Sequence, residues 1–164
     1  KDHSLESPLN AVELSDDEKI QILNVLESDI YTLTARRRNY IILRLDSFLS
    51  DGAAAYDSSI LTIEHVLPQT VKDGSEWSAL WPDEDVRKVW THKLANLVPL
   101  NKRRNSQAQN YDFERKKTVY FTGSKAVSSY ILTTQVLNES QWTPDIIQKR
   151  QHNLLSVFKE SWNL

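Results

Sequence analysis

A carboxylate and an imidazole stand side by side near the middle of this 164-residue chain, at Glu64 and His65. Two asparagines, Asn96 and Asn105, follow further along. The oxygens of Glu64 and Asn105 are of the kind that Mg²⁺ prefers, and a neutral His65 can take a proton from an attacking water. Asn96 has the donors and the acceptor needed to brace the backbone around His65. Together these residue types suit the metal-assisted hydrolysis of a phosphodiester, in which the cation polarises the phosphate and stabilises the leaving oxygen.

The adjacency of Glu64 and His65 also bears on the chemistry. Successive residues of a strand point to opposite faces, so a strand ending at this pair would place a metal ligand and a base on either side of a scissile phosphate. In-line displacement needs that arrangement. A Glu-His pair at a strand end and an asparagine before an apolar stretch are also common structural features, so these residues taken singly leave a structural role open.

Basic residues lie directly before the second asparagine, at Lys102, Arg103 and Arg104. Contacts from Lys and Arg to phosphate supply most of the sequence-independent affinity for DNA. We therefore predict that this run holds the DNA backbone beside Asn105. Lys116 is a further candidate for a phosphate contact, with a plain exposed helix face as the alternative.

Two further features of the sequence have open roles. Arg36–Arg38 begins a predicted helix, where cations oppose the macrodipole, and either DNA phosphate or the nearby acids Glu27 and Asp29 could compensate. His92 lies close to Asn96, but it lacks a neighbouring carboxylate and a proline turn. We predict that His92 is a surface residue or one that supports the site from behind.

The elements that must hold these residues are predicted from hydrophobic periodicity. Ser15 and Glu18 form a capping-box pattern at the start of the first helix. We predict helices over 16–31, 35–49, 83–92, 112–121, 124–137 and 144–162, and strands over 59–66 and 97–100. Pro99 confines the second strand to a sheet edge or a strand end. The five tryptophans are predicted to be core residues, with a substrate groove as the alternative for Trp77 and Trp81.

The composition is that of an ordinary globular domain, with 40% hydrophobic and 26% charged residues. The net charge of -2 argues against a uniformly basic nucleic-acid binder, and the absence of cysteine excludes disulfides and thiolate metal sites. No apolar run reaches the ~20 residues needed to cross a bilayer, so we expect a cytoplasmic domain without membrane contact. The chain has no methionine and begins with Lys1, from which we expect a fragment of a longer protein.

Three strings of the sequence match a known family when they are taken together: Ile63–Gln69, Asn96–Leu100 and Asn105-Ser106. They resemble the HNH or His-Me finger nucleases. More narrowly, they are similar to the C-terminal nuclease domain of the GmrSD-type modification-dependent restriction endonucleases and related phage-defence proteins. The resemblance covers about 60–164 well and 15–50 only as a helical lead-in. Further positions that match are Phe113, Lys116, Tyr120, Trp142, Ile146 and Arg150.

The resemblance implies an α+β fold, a predominantly helical domain around a ββα-metal (His-Me finger) core. Residues 1–14 would be a linker or arm and 15–58 a helical lead-in. Residues 59–122 would form the HNH-like nuclease core, and 123–164 the C-terminal helices that complete the same domain.

For the site, the resemblance implies His65 as general base and Glu64 and Asn105 as ligands of a divalent metal, Mg²⁺ or Mn²⁺. It implies Asn96 as the residue that supports the metal-binding loop. Many members of the wider family have Asp in place of Glu64 and His in place of Asn105. The expected substrate is double-stranded DNA, and the expected partner is an N-terminal nucleotide-hydrolysing domain of the same protein. Cutting both strands would require a homo-oligomer or repeated action.

Two other functions stay open at this point. The chain could be a catalytically inactive nucleic-acid-binding module attached to that upstream domain. It could also be a helical protein–protein interaction domain in which 60–105 is a structural hairpin.

Overall fold

The structure is a computed structural model, and it describes residues 13–50, 61–101, 111–121 and 129–164. Asn105 and the basic run Lys102–Arg104 lie outside the described residues. The fold is α+β and mostly helical, with a small antiparallel sheet. The fold class predicted from the sequence is confirmed.

Within the described residues, two α-helices precede the sheet. Helix α1 spans Asp16–Glu27 and begins with the predicted capping box, in which the Ser15 and Glu18 side chains each bond the other's backbone N–H. It ends earlier than the predicted residue 31, because Ser28 is extended and its hydroxyl donates to the carbonyl of Val25 at 2.7 Å. A 3₁₀ turn, Ile30–Thr32, follows. Helix α2 spans Ala35–Leu49, with the bounds predicted from the sequence.

Strands β1 (Leu61–His65) and β2 (Leu97–Asn101) pair antiparallel. Ile63 lies opposite Pro99, and His65 lies opposite Leu97. Among the described residues the sheet has these two strands alone, so each has an outer edge of the kind that accommodates a proline. The predicted first strand, 59–66, is one residue longer at its end than β1, and residues 59 and 60 lie outside the described residues.

The sheet separates two hydrophobic clusters, because alternate residues of each strand face opposite sides. We call them the helical cluster and the tryptophan cluster. The helical cluster lies where one face of the sheet packs against the helices. It includes Leu26, Ile30, Ile42, Leu45, Ile63, Leu97, Leu154 and Phe158. The tryptophan cluster covers the other face and includes Val66, Trp77, Trp81, Val98, Leu100, Phe113, Trp142 and Ile147.

The segment between the strands carries helices α3 (Glu76–Leu80) and α4 (Glu84–Thr91). Helix α4 was predicted over 83–92, whereas α3 was not predicted. Trp77 and Trp81 are each 1% exposed, and their indole nitrogens donate to the carbonyls of Tyr111 and Trp142. They are core residues, and the groove alternative is wrong for both.

Three α-helices follow the sheet in the parts of the chain that the structure describes. Helix α5 (Phe113–Lys116) continues into a π-helical segment, Lys117–Phe121, within the predicted 112–121. Helix α6 is described over Ile131–Leu137. Helix α7 spans Pro144–Trp162, as predicted, and the Thr143 hydroxyl caps its first turn. No helix in the described part of the chain is long and apolar enough to cross a membrane.

Candidate active site

His65 is the last residue of β1, and its imidazole is almost fully enclosed, at 4% exposure. Its Nε2 lies 3.2 Å from Nδ1 of His92, which is hydrogen-bond distance. The ring of Tyr31 covers both imidazoles, with centroids 4.1 Å from His65 and 5.5 Å from His92. The histidine therefore sits in a pocket of two aromatic rings rather than on an open strand end.

The backbone around His92 is tied to the segment between α1 and α2. His92 directly follows α4, and its carbonyl accepts from the Tyr31 N–H at 3.2 Å. The next residue, Lys93, donates to the carbonyl of Glu27 at 2.8 Å. Arg38 contacts Tyr31 directly. Its guanidinium donates to the Tyr31 carbonyl at 2.9 Å and lies 4.5 Å from the centroid of the Tyr31 ring. The helical lead-in thus helps to build the pocket around His65.

Burial, with smaller contributions from the nearby groups of His92, Lys116 and Arg38, lowers the pKa of His65 to about 3. The imidazole is therefore neutral at physiological pH. A neutral ring has one nitrogen with a free lone pair, which is the form that can accept a proton.

Asn96 is fully buried and ends the 3₁₀ turn Leu94–Asn96 before β2. Its amide oxygen accepts from the Leu67 N–H at 2.7 Å and from the Trp142 indole at 3.1 Å. Its amide nitrogen donates to the carbonyls of Leu67 at 3.0 Å and Thr91 at 2.8 Å. Both donors and both lone pairs of the amide are used, so Asn96 joins the loop after His65 to the end of α4. It braces the backbone of the site and is buried away from solvent.

Glu64 faces the opposite side of β1 from His65 and meets Lys116 of α5. The Lys116 ammonium is 3.3 Å from Oε1 of Glu64 and 2.6 Å from the carbonyl oxygen of His65. The Lys116 side chain is 1% exposed and that of Glu64 is 15% exposed. Burial raises the pKa of Glu64 while Lys116 pulls it down, and burial lowers the pKa of Lys116 while Glu64 pulls it up.

The alternative of a plain exposed helix face is wrong for Lys116, because its side chain is 1% exposed. A buried carboxylate and a buried carbonyl both need a donor, and Lys116 supplies it from inside the molecule. Direct contact of Lys116 with DNA phosphate stays a prediction that would require this ion pair to open. Arg36 and Arg37, by contrast, are exposed, and their contact with phosphate stays a prediction.

The donor chemistry of Glu64 fits the divalent metal that the sequence implies. Its carboxylate is a hard oxygen donor that keeps some exposure, and the Lys116 ammonium lies 3.3 Å from its Oε1. The described residues contain no group of three His, Cys, Asp or Glu that could hold a metal. Mg²⁺ does not require such a group, because it is usually held by one or two protein ligands, several waters and substrate phosphate. The second predicted ligand, Asn105, lies outside the described residues.

The sequence pattern gave no sign that Tyr31 belongs to the site or that Arg38 contacts it, and it left two roles open for His92. Nothing in the local pattern marks Tyr31, because its contact with His65 arises only when the lead-in packs against the end of α4. The signal for His92 was its nearness to Asn96 in the sequence, which placed it behind the site.

The model of the family "GmrSD restriction endonucleases, C-terminal domain" matches residues 15–157. The chain belongs to this family. It is thus a nuclease domain of a restriction protein, and DNA is the substrate of such a domain. The match also includes the lead-in, which the resemblance seen in the sequence had covered only loosely. A search of curated proteins found no match. In this chain, the candidate site at the end of β1 consists of the pocket around His65 and the pair of Glu64 and Lys116.

Proposed function

We propose that this domain is a metal-dependent, HNH-type endonuclease that hydrolyses phosphodiester bonds of double-stranded DNA, with His65 as the general base. The observation that carries the proposal is the arrangement at the end of β1, where His65 and Glu64 lie on opposite sides of one strand. The family membership supports the nuclease class.

His65 takes a proton from the attacking water through the nitrogen that bears the free lone pair. The water oxygen then bonds to phosphorus, and the bond from phosphorus to the leaving sugar oxygen breaks. The low pKa of free His65 keeps its lone pair available. A phosphate anion bound beside the ring raises that pKa, since an opposite charge favours the imidazolium, and His65 then becomes a stronger base when substrate is present.

Glu64 would hold the divalent ion, Mg²⁺ or Mn²⁺, together with Asn105. The ion, when bound, supplies a Lewis acid that polarises the phosphate and stabilises the leaving oxygen. Lys116 sets the position of the Glu64 carboxylate, and Asn96 holds the loop that follows His65. Lys102, Arg103 and Arg104 would bind the DNA backbone beside the cut.

The decisive experiment is a nicking assay on supercoiled plasmid with Mg²⁺, Mn²⁺ or EDTA. We expect His65→Ala to lower the nicking rate by about a hundredfold or more, with DNA binding in a gel-shift assay unchanged. His152→Ala is the matched control, because His152 is an exposed histidine of α7 and its loss should leave nicking unchanged. Glu64→Gln should raise the metal concentration needed for half-maximal nicking.

Full cleavage by His65→Ala would contradict the proposal. DNA binding by the unmodified chain without nicking under either ion would also contradict it, and would support the inactive nucleic-acid-binding module instead.

A further inference from the structure

The contact between His65 and His92 requires a single hydrogen between two ring nitrogens. Nε2 of His65 and Nδ1 of His92 are 3.2 Å apart, and a hydrogen bond between neutral imidazoles needs one protonated and one bare nitrogen. Two arrangements satisfy this. Either His65 donates from Nε2, or His92 donates from Nδ1.

The two arrangements have opposite consequences for His65. If His92 donates, Nε2 of His65 is an acceptor and the ring proton sits on Nδ1, so no lone pair is left for a water molecule. If His65 donates, its Nδ1 is bare and can accept a proton. Only the second arrangement is compatible with a general base.

We propose that His92 fixes the tautomer and the orientation of His65, by accepting the Nε2–H of His65 on its own Nδ1 and so leaving Nδ1 of His65 as the basic atom. This inference rests on the proposed function for its catalytic meaning. His92 is a positioning residue, because it acts on the substrate only through His65. A partner of this kind sets which nitrogen of a histidine is reactive.

The surroundings of His92 suit this task because they restrict its movement. Its backbone carbonyl is bonded to the Tyr31 N–H at 3.2 Å. Tyr31 stacks on the His92 ring at an interplanar angle of 12° and packs against the His65 ring at 57°. The two imidazoles meet edge to face, at 68°, so the edge of one ring can direct a nitrogen toward the other. One tyrosine therefore holds both rings in the orientation that the hydrogen bond needs.

The first test is spectroscopic and needs no catalysis. Two-bond ¹⁵N–¹H correlation spectra of the ¹⁵N-labelled chain at neutral pH report which nitrogen of each imidazole carries the proton. His65→Gln assigns the His65 signals, since the chain has four histidines. We expect the proton of His65 on Nε2. A proton on Nδ1 of His65 would overturn the proposal.

The second test compares two substitutions at position 92. His92→Leu fills a similar volume but removes the acceptor, whereas the amide oxygen of His92→Asn can take the place of Nδ1. For His92→Leu we expect kcat to fall by roughly ten- to hundredfold, as for other partners that orient a functional histidine, with KM nearly unchanged. His92→Asn should recover most of the loss and keep the wild-type tautomer of His65. His152→Leu is the control for loss of a histidine elsewhere.

Equal losses of kcat in His92→Leu and His92→Asn, or no loss in a folded His92→Leu, would overturn the inference. If His92→Leu does not fold, the spectra of the wild type and of His92→Asn decide it. If the wild type itself does not nick DNA, the proposed function fails, and the spectra still show whether His92 fixes the tautomer of His65.

Discussion

The two faces of β1 at its end bury polar groups in different ways. On the face toward the helical cluster, His65 is enclosed by Tyr31 and His92 and is held neutral. On the face toward the tryptophan cluster, Glu64 is enclosed beside a cation, Lys116. The two residues are adjacent in the chain, and each is the centre of a separate set of contacts.

The difference shows how one short strand can prepare two chemical groups. Burial of a charge is costly unless the charge is paired or removed. His65 avoids this cost because it is neutral, and Glu64 reduces it by pairing with Lys116. The first arrangement leaves a lone pair for the proton transfer that we propose, and the second leaves a carboxylate for the proposed divalent ion. The helical lead-in builds the first set of contacts and α5 builds the second.

The largest expected effect comes from Asn96, since it braces the loop that both faces share. Asn96→Ala leaves buried polar groups of Leu67, Thr91 and Trp142 without a partner, each at a cost of about 1–3 kcal/mol. We expect the free energy of unfolding in urea to fall by at least about 3 kcal/mol. Asn153→Ala, at an exposed position of α7, should change it by less than about 0.5 kcal/mol. Equal effects of the two substitutions would show that Asn96 does not brace the site.

The next prediction concerns the ion pair of Glu64 and Lys116 alone. Lys116→Met removes the ammonium and leaves a largely buried Glu64 unpaired, so we expect a loss of about 3 kcal/mol in urea unfolding. Adding Glu64→Gln to Lys116→Met should restore part of that loss, because no unpaired charge then remains. Lys88→Met is the control: Lys88 also pairs with acids, but its side chain is 64% exposed, and such pairs contribute about 0–1 kcal/mol. A double variant less stable than Lys116→Met would contradict the pairing explanation.

A third prediction concerns the neutral state of His65 and is tested by the pH dependence of stability. The pKa of His65 is about 3 in the folded state against 6.5 for the ordinary side chain, so the unfolded state binds more protons between these values. Stability from this residue is therefore fully present above pH 6.5 and is lost as pH falls from 6.5 toward 3. Glu64 has the opposite sign, because its raised pKa lets the folded state take up a proton first.

We expect the unfolding free energy of the wild type to fall more steeply on acidification than that of His65→Gln, measured by urea titration at a series of pH values. The difference between the two curves isolates His65, since the other titrating groups are common to both. Parallel curves would show that His65 is not held neutral by the fold.

Sequence patterns predicted the elements whose signals are local. The bounds of α2 and α7 follow from apolar periodicity, and those of α7 also from the Thr143-Pro144 start. The capping box at Ser15 was likewise visible in the sequence. These features depend on residues within a turn or two of each other, so a sequence displays them directly.

The remaining features depend on contacts between distant segments. Tyr31 reaches His65 only because the chain after α1 packs on the end of α4. Lys116 lies in the run Arg115–Lys117, which has the pattern of an exposed basic face, yet it is buried because Glu64 and the His65 carbonyl lie opposite it. Hydrophobic periodicity has no means of predicting a buried lysine, since the partner that makes burial tolerable is 52 residues away.

The contact of Tyr31 with the two imidazoles matters for anyone wishing to fuse this nuclease domain to a DNA-binding protein. The sequence strings that resemble those of HNH nucleases suggest a cut just before β1, which would treat everything upstream as spacer. Such a fusion would remove Tyr31, and with it the ring that covers His65 and the N–H that donates to the His92 carbonyl. The shortest fragment suitable for fusion therefore includes α1 and α2, and the fusion linker should join the chain before Ser15.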